Sequence, residues 1–266
     1  MTEDTNNDLT WWGTFKLDIE KNKEWHIGPL KLIIKRLKNE WQIAHESADT
    51  FDSTDFSWEI KDTEEQPNIY SNNSRYILHD TTGQLIVTPR LADRSVVSRP
   101  HIPFNLAANE EIVLYVSSPL WIDLNIGTTH LKSIAIQRLS DTWFGPSTLE
   151  GEFCYASTTH CRLNHDDLPR LSHKAITPVL IRNQSKTTLL LERLNLPIPL
   201  LPLYTSLSGQ LWTPQITLTR EKDGDMAELT IDNEPPTEIG SVELVSEARE
   251  KLHDNILFRA FNTVFS

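Results

Sequence analysis

The chain has 266 residues, of which 37 are Asp or Glu and 25 are Lys or Arg, giving a formal charge of -12 at neutral pH. With 38% hydrophobic residues and a mean hydropathy of -0.38, this is a water-soluble globular composition, long enough for one large core or two smaller ones. The acidity argues against broad electrostatic binding to nucleic acid or anionic lipid, both of which call for a basic surface.

Positions 1–10 are polar and acidic, lack the basic and apolar regions of a signal peptide, and are expected to form a disordered tail. Ordered chain is expected to begin at Trp11-Trp12-Gly13. From 25 to 37, Leu30, Leu32 and Ile34 alternate with Lys31, Ile33 and Lys35, a β period with one face partly apolar on both sides. The alternation resumes at 41–45, and Lys38-Asn39-Glu40 is the hairpin turn between the two runs. Positions 46–65 are strongly acidic, and are read as a solvated loop with a short strand near 56–60. Further strands are expected at 74–79, 84–88, 111–117, 120–126 and 133–137. In the second half they fall at 150–156, 175–183, 187–194, 209–220, 226–232 and 241–245. Turn-forming clusters at 80–83 and 222–225 each join two such runs. Many short strands at intervals of about 8–12 residues predict an all-β protein rather than a βαβ fold. A Pro-rich entry, a Tyr (Tyr115, Tyr204) and a Trp (Trp121, Trp212) recur in the two halves, as a duplication would leave them.

One helix is expected, over 246–266. Ser246 is a candidate N-cap, and Ala248, Leu252, Ile256 and Ala260 share one face at i, i+4 spacing. Phe258, Phe261 and Phe265 fall on the other face, and so are candidate partner contacts. The expected architecture is therefore all-β, with two β-sandwich-like domains packed together (11–135 and 136–245) and an amphipathic C-terminal α-helix (246–266). No membrane-spanning segment is expected: the longest apolar tract, 194–203, is cut by Pro197, Pro199 and Pro202. Two cysteines, Cys154 and Cys161, make no disulfide framework, and a cytoplasmic location is the simplest expectation.

Catalytic patterns are sparse. There is no GxGxxG, no GxxxxGK[ST] and no GxSxG, so phosphate-cradling loops and a nucleophile elbow are unsupported. Cys154, His160, Cys161, His165, Asp166, Asp167 and His173 lie close in sequence, yet Cys154 and Cys161 are too far apart for a zinc turn. Whether His160, Cys161 and His165 hold a metal stays open at this point. Glu150 and Glu152 flank Gly151 on one strand face, which would suit a pair of acids in a hydrolase, but also suits solvent-facing alternation beside a buried Phe153. No catalytic residue, cofactor or metal ligand is therefore assigned. Trp25, Trp41, Trp58, Trp121 and Trp212 sit in or beside strand patterns and are expected in cores. Trp143 differs, because Trp143-Phe144 lies between polar residues and Gly145-Pro146. Two adjacent aromatics cannot both point inward from an extended chain, so one is expected to be a binding anchor.

Several segments resemble, in order, a bacterial and archaeal family of unknown function. They are WWG at 11–13, WHIGPLKL at 25–32, EWQIAHE at 40–46, LADRSVVSRP at 91–100, LYVSSPLW at 114–121, LSDTWFGPSTLEGEFCYA at 139–156, AITPVLIRN at 175–183 and LERLNLPIPLLPLY at 191–204. The resemblance runs from Trp11 to about Trp212. It implies no activity and no catalytic residue. Genes of that family often stand beside small-conductance mechanosensitive channels, which implies a cytoplasmic accessory role. The expected partner is then a protein, either a membrane channel or a second copy of the chain, and no nucleic acid. Asp141, Trp143, Phe144, Arg99 and Arg193 are the candidate contact residues, together with the three phenylalanines of the C-terminal segment. The alternative is a small-ligand or carbohydrate-binding protein stacking its ligand on Trp143 and Phe144. A metal-dependent or acid/base hydrolase is the third reading.

Overall fold

The computed structural model describes residues 10–48, 58–78, 82–147, 149–159, 161–251 and 256–261. Its regular structure is β. In chain order β1 is Gly13–Lys16, β2 Asn22–Ile27, β3 Leu30–Arg36, β4 Glu40–Ser47, β5 Trp58–Thr63, β6 Asn73–Ile77 and β7 Gln84–Leu91. Next come β8 Val96–Pro100, β9 Phe104–Leu106, β10 Glu110–Ile126, β11 Thr129–Ala135, β12 Ser140–Phe144 and β13 Glu152–Thr159. Then follow β14 Lys174–Asn183, β15 Leu189–Leu191, β16 Leu194–Leu196, β17 Leu203–Ser206 and β18 Leu211–Trp212. The last are β19 Ile216–Arg220, β20 Met226–Ile231, β21 Val242–Ser246 and β22 Ile256–Arg259. The chain divides into two compact units, 1–90 with 120–138 and 171–173, and 91–119 with 139–170 and 174–266.

The first unit is built around the antiparallel sheet β5-β2-β3-β4-β6. The run at 25–37, read above as one strand, is instead the two arms of a hairpin. The chain reverses at Gly28-Pro29, where Gly28 has φ +53 and a Cβ would lie 2.4 Å from His173 Nδ1. Trp25 thus faces Leu32 and Ile60, and Leu32 faces His45. Trp25, Ile27, Leu30, Leu32, Ile34, Trp41 and Ile43 fill one face and are all buried. Phe15 of β1 meets Trp25 edge-on, ring centres 5.2 Å apart. On the other face Lys31 pairs with Glu65, while the 3-10 turn Pro67–Ile69 packs over β3 and β4. Within the acidic stretch the strand runs over Trp58–Thr63, and Trp58 is only half-buried.

In the second unit β10 and β14 pair antiparallel from Glu110–Asn183 to Pro119–Lys174. The expected strands at 111–117 and 120–126 are parts of one 17-residue strand, β10, and Pro119, which has no N–H to give, stands where the β14 partnership ends. β14 also pairs in parallel with β19, which continues antiparallel through β20 to β22. Trp212 of this unit is buried, as are Trp25, Trp41 and Trp121 of the first. A separate sheet, β12-β13-β8-β16, carries the aromatic and arginine residues singled out above.

The C-terminal helix is overturned. Among the described residues of 246–266 there is no helix: Ser246 closes β21, and Ile256–Arg259 is a strand on β20, with Ala227 opposite Phe258 and Leu229 opposite Ile256. Ile256, Phe258 and Ala260 also recur at every second position, as a strand requires, and β20 offers an edge whose backbone groups need partners. Leu257 points to solvent, Phe258 is half-buried and Phe261 is buried, bridging Leu194. Phe265 lies outside the described residues. No helix of the described residues is long and apolar enough to cross a membrane.

Candidate functional site

β12 is an edge strand: among the described residues its only partner is β13, with Trp143 opposite Phe153, Asp141 opposite Tyr155 and Thr142 opposite Cys154. Alternation sends Trp143 and Phe144 to opposite faces. Phe144 is buried in a small cluster with Val97 and Cys154. Trp143 remains 38% exposed and Phe153, read above as buried, is 58% exposed. Their rings meet edge to face with centres 5.9 Å apart.

The turn from β12 to β13 fixes this pair. Trp143 Nε1 donates to Ser147 O at 2.7 Å, and Ser147 Oγ accepts from Leu149 N and Glu150 N at 3.3 and 3.1 Å. Two glycines allow the close crossing. A Cβ on Gly145 would lie 2.1 Å from Glu150 O, and one on Gly151 would lie 2.8 Å from the Trp143 indole. The pair is therefore pre-set by backbone as well as by ring contact.

Polar groups flank it on the same face. Arg94 reaches Asp141 at 3.2 Å and stacks over Tyr155 at 5.1 Å, and Tyr155 Oη donates to Asp93 at 2.9 Å. On the other face Arg193 donates from Nη2 to Thr142 Oγ1 at 3.2 Å and lies 5.6 Å from the Phe144 ring centre. Arg99, one strand away on β8, is exposed.

The candidate acids and thiols do not converge. Glu150 sits exposed in the turn, whereas Glu152 accepts from Asn195 Nδ2 and from Ser95 Oγ. Burial pushes the Cys154 and Cys161 thiols up to about 12, so neither is poised as a free thiolate nucleophile at neutral pH. His165 lies with Asp166 and Asp167 in a 3-10 turn and packs against Tyr115 and Trp212, and His160 lies outside the described residues. Among the described residues no group of three or more His, Cys, Asp or Glu is arranged to hold a metal ion. A cleft of about 500 Å³ lies by Asp223, Asp225, Met226, Glu228 and Leu257. Two of its acids are engaged, Asp225 by Arg259 and Asp223 by Thr187 Oγ1.

Next to the turn at 222–225 lies a polar network that no sequence motif marks. Arg220, 3% exposed, donates from Nη1 to Ser185 Oγ at 2.7 Å, Asn183 Oδ1 at 3.2 Å and Thr187 O at 3.3 Å, and from Nε to Gly224 O at 3.1 Å. Asn183 Nδ2 in turn donates to Leu106 O, Ala107 O and Thr187 O. The signal for it was an arginine closing an apolar strand, next to the turn at 222–225.

The profile of a family described as "Protein of unknown function (DUF432)" matches residues 11–266, which takes in the acidic stretch and the C-terminal segment as well as the motifs above. No curated protein and no solved structure matches the chain significantly.

Proposed function

The chain belongs to the DUF432 family of proteins of unknown function, and we propose that it is a non-catalytic interaction module that recognises a protein partner through the β12–β13 hairpin. The observation that carries this reading is the Trp143–Phe153 pair, solvent-facing yet held in place by Ser147 and the two glycines. Rigid exposed aromatics are what an interface core uses, because they bring large apolar area with little rotamer entropy left to lose. The outer side of β12 supports it, since an extended segment of a partner can add there as a further strand. The locked Glu152 and the protonated thiols support a role without bond-breaking.

The partner is the pore-forming subunit of a small-conductance mechanosensitive channel and the location cytoplasmic, as the family resemblance implies. The glycan-stacking alternative is less favoured. The Trp143 N–H is already spent on Ser147 O, so the indole offers a ring face and no donor for a sugar hydroxyl. The test is co-purification of the full chain with the channel from detergent-solubilised membranes, wild type against a Trp143→Ala, Phe153→Ala double variant. Trp143 is 38% exposed and its indole bonds Ser147 O, so the variant should lose some stability yet stay folded by circular dichroism, while capture below its melting transition falls by about tenfold or more. Equal capture by the two proteins, or none by either, overturns the reading.

A further inference from the structure

Arg99 belongs to β8, and Arg193 directly precedes β16. The two strands pair antiparallel with Val97 opposite Asn195 and Ser98 opposite Leu194, and Arg99 and Arg193 are the residues that follow directly beyond that last pair, near enough for the charge of Arg99 to act on Arg193. Both side chains stand on the face that carries Val97, Thr142, Phe144 and Cys154, the reverse of the Trp143–Phe153 face. Like charges placed close together on one face weaken a strand pair. Among the described residues neither guanidinium is paired with a carboxylate, in a chain whose acids outnumber its bases by 37 to 25. Glu152, the acid of this face, is already committed to Asn195 and Ser95. Among the described residues Arg193 has one hydrogen bond, to Thr142, and its Nε is buried without a partner. Burial and the charge of Arg99 both lower the Arg193 pKa, as expected of a cation that lacks a counter-charge.

We propose that Arg99 and Arg193 bind a phosphoryl group, either inorganic phosphate or a phosphate monoester, whose oxygens bridge the two guanidiniums. The match is one of charge and donor count. Two planar guanidiniums supply two positive charges and several directed donors, which suits a dianion with several acceptor oxygens. A single carboxylate would leave one charge unmet. Thr142 and Phe144 hold the Arg193 fork from below, and exposed Arg99 is the arm open to solvent. The site is independent of the aromatic pair, on the other face of the same sheet.

Phosphorus NMR titrations of the full chain, with ionic strength held constant by sodium chloride, test this with two probes, inorganic phosphate and glycerol phosphate. Saturable binding is expected, weakened by about tenfold or more in Arg99→Gln and unchanged in Trp143→Ala. The tighter of the two probes identifies the free ion or the ester as the natural form. Arg99→Glu sets a carboxylate near Arg193. It is expected to abolish phosphate binding and to raise the melting temperature in phosphate-free buffer. Absence of saturable binding, or equal affinity in wild type and either Arg99 variant, overturns the proposal.

Discussion

Arg220 shows how one side chain can fix several backbone segments at once. Its guanidinium reaches the turn after β14 through Ser185 and Thr187, and the turn after β19 through Gly224 O. Asp223 lies 3.8 Å away and is largely exposed, so the buried charge is met mainly by neutral acceptors. Burial accordingly lowers the Arg220 pKa. A lysine carries the charge but cannot span the same acceptors, because its three donors sit on one atom. Arg220→Lys should therefore lower unfolding free energy by about 2–4 kcal/mol, the cost of leaving two or more buried acceptors unmet. Urea denaturation measures it, and a loss below about 1 kcal/mol would show that water replaces the guanidinium. Asn183 is the complementary case, since its amide and its carbonyl are both used in the same network.

At the scale of elements, β22 is the strand whose attachment is easiest to separate from the rest. Among the described residues its ladder is with β20; Arg259 pairs with Asp225, Asp225 O accepts from Ala260 N and Phe261 N, and Asn195 donates to Arg259 O and Ala260 O. Both partners of the ion pair are about a quarter exposed, so a double-mutant cycle of Arg259→Ala and Asp225→Ala should give a coupling of about 1 kcal/mol or less. Hydrogen exchange should be the more telling readout. Amides of 256–261 should lose protection in Arg259→Ala, while those of β14 and β19, in the interior of the sheet, keep it. Uniform loss of protection would mean that β22 does not open by itself. This same strand explains where pattern reading stops. β7 is legible because it buries alternate positions along its length, and β3, β4 and β14 because their apolar runs carry β-branched or aromatic residues even where consecutive residues are buried. β22 has four residues and its place depends on an available β20 edge far back in the chain, a fact no local window contains. The Gly28-Pro29 reversal was visible in the letters but outweighed by the apolar run around it. At the site, the Trp143–Phe144 step can be read from the sequence. The exposure of Phe153 and the nearness of Arg99 and Arg193 depend on strand register, which is set by long-range pairing.

For the molecule as a whole, the titrating groups define a pH window of greatest stability. His45 is partly buried near Lys132, and burial lowers its pKa from 6.5 to about 4. The neutral ring is therefore the folded form, and the unfolded chain takes up the proton first. Stability is complete above pH 6.5 and falls as pH drops toward 4. The full shift would be worth about 3 kcal/mol, and partial solvent screening of the ring brings it to about 1–2 kcal/mol. Glu40 acts in the same direction at lower pH. Arg75 holds its carboxylate at about 2, below the usual 4.5, so that contribution is lost between those values. The thiols set the upper limit. Cys154 and Cys161 are raised from 9.0 to about 12, so above pH 9 the unfolded chain ionises while the folded chain does not. Stability then falls again. The expected profile is a plateau between pH 6.5 and 9.0 with a decline on both sides. Denaturant midpoints across pH measure it, and His45→Gln should flatten the step between pH 6.5 and 4 while leaving the alkaline limb in place. An acid limb unchanged in that variant would assign the loss to carboxylates such as Glu40. An alkaline limb that survives replacement of both cysteines by serine would remove the thiols from the account.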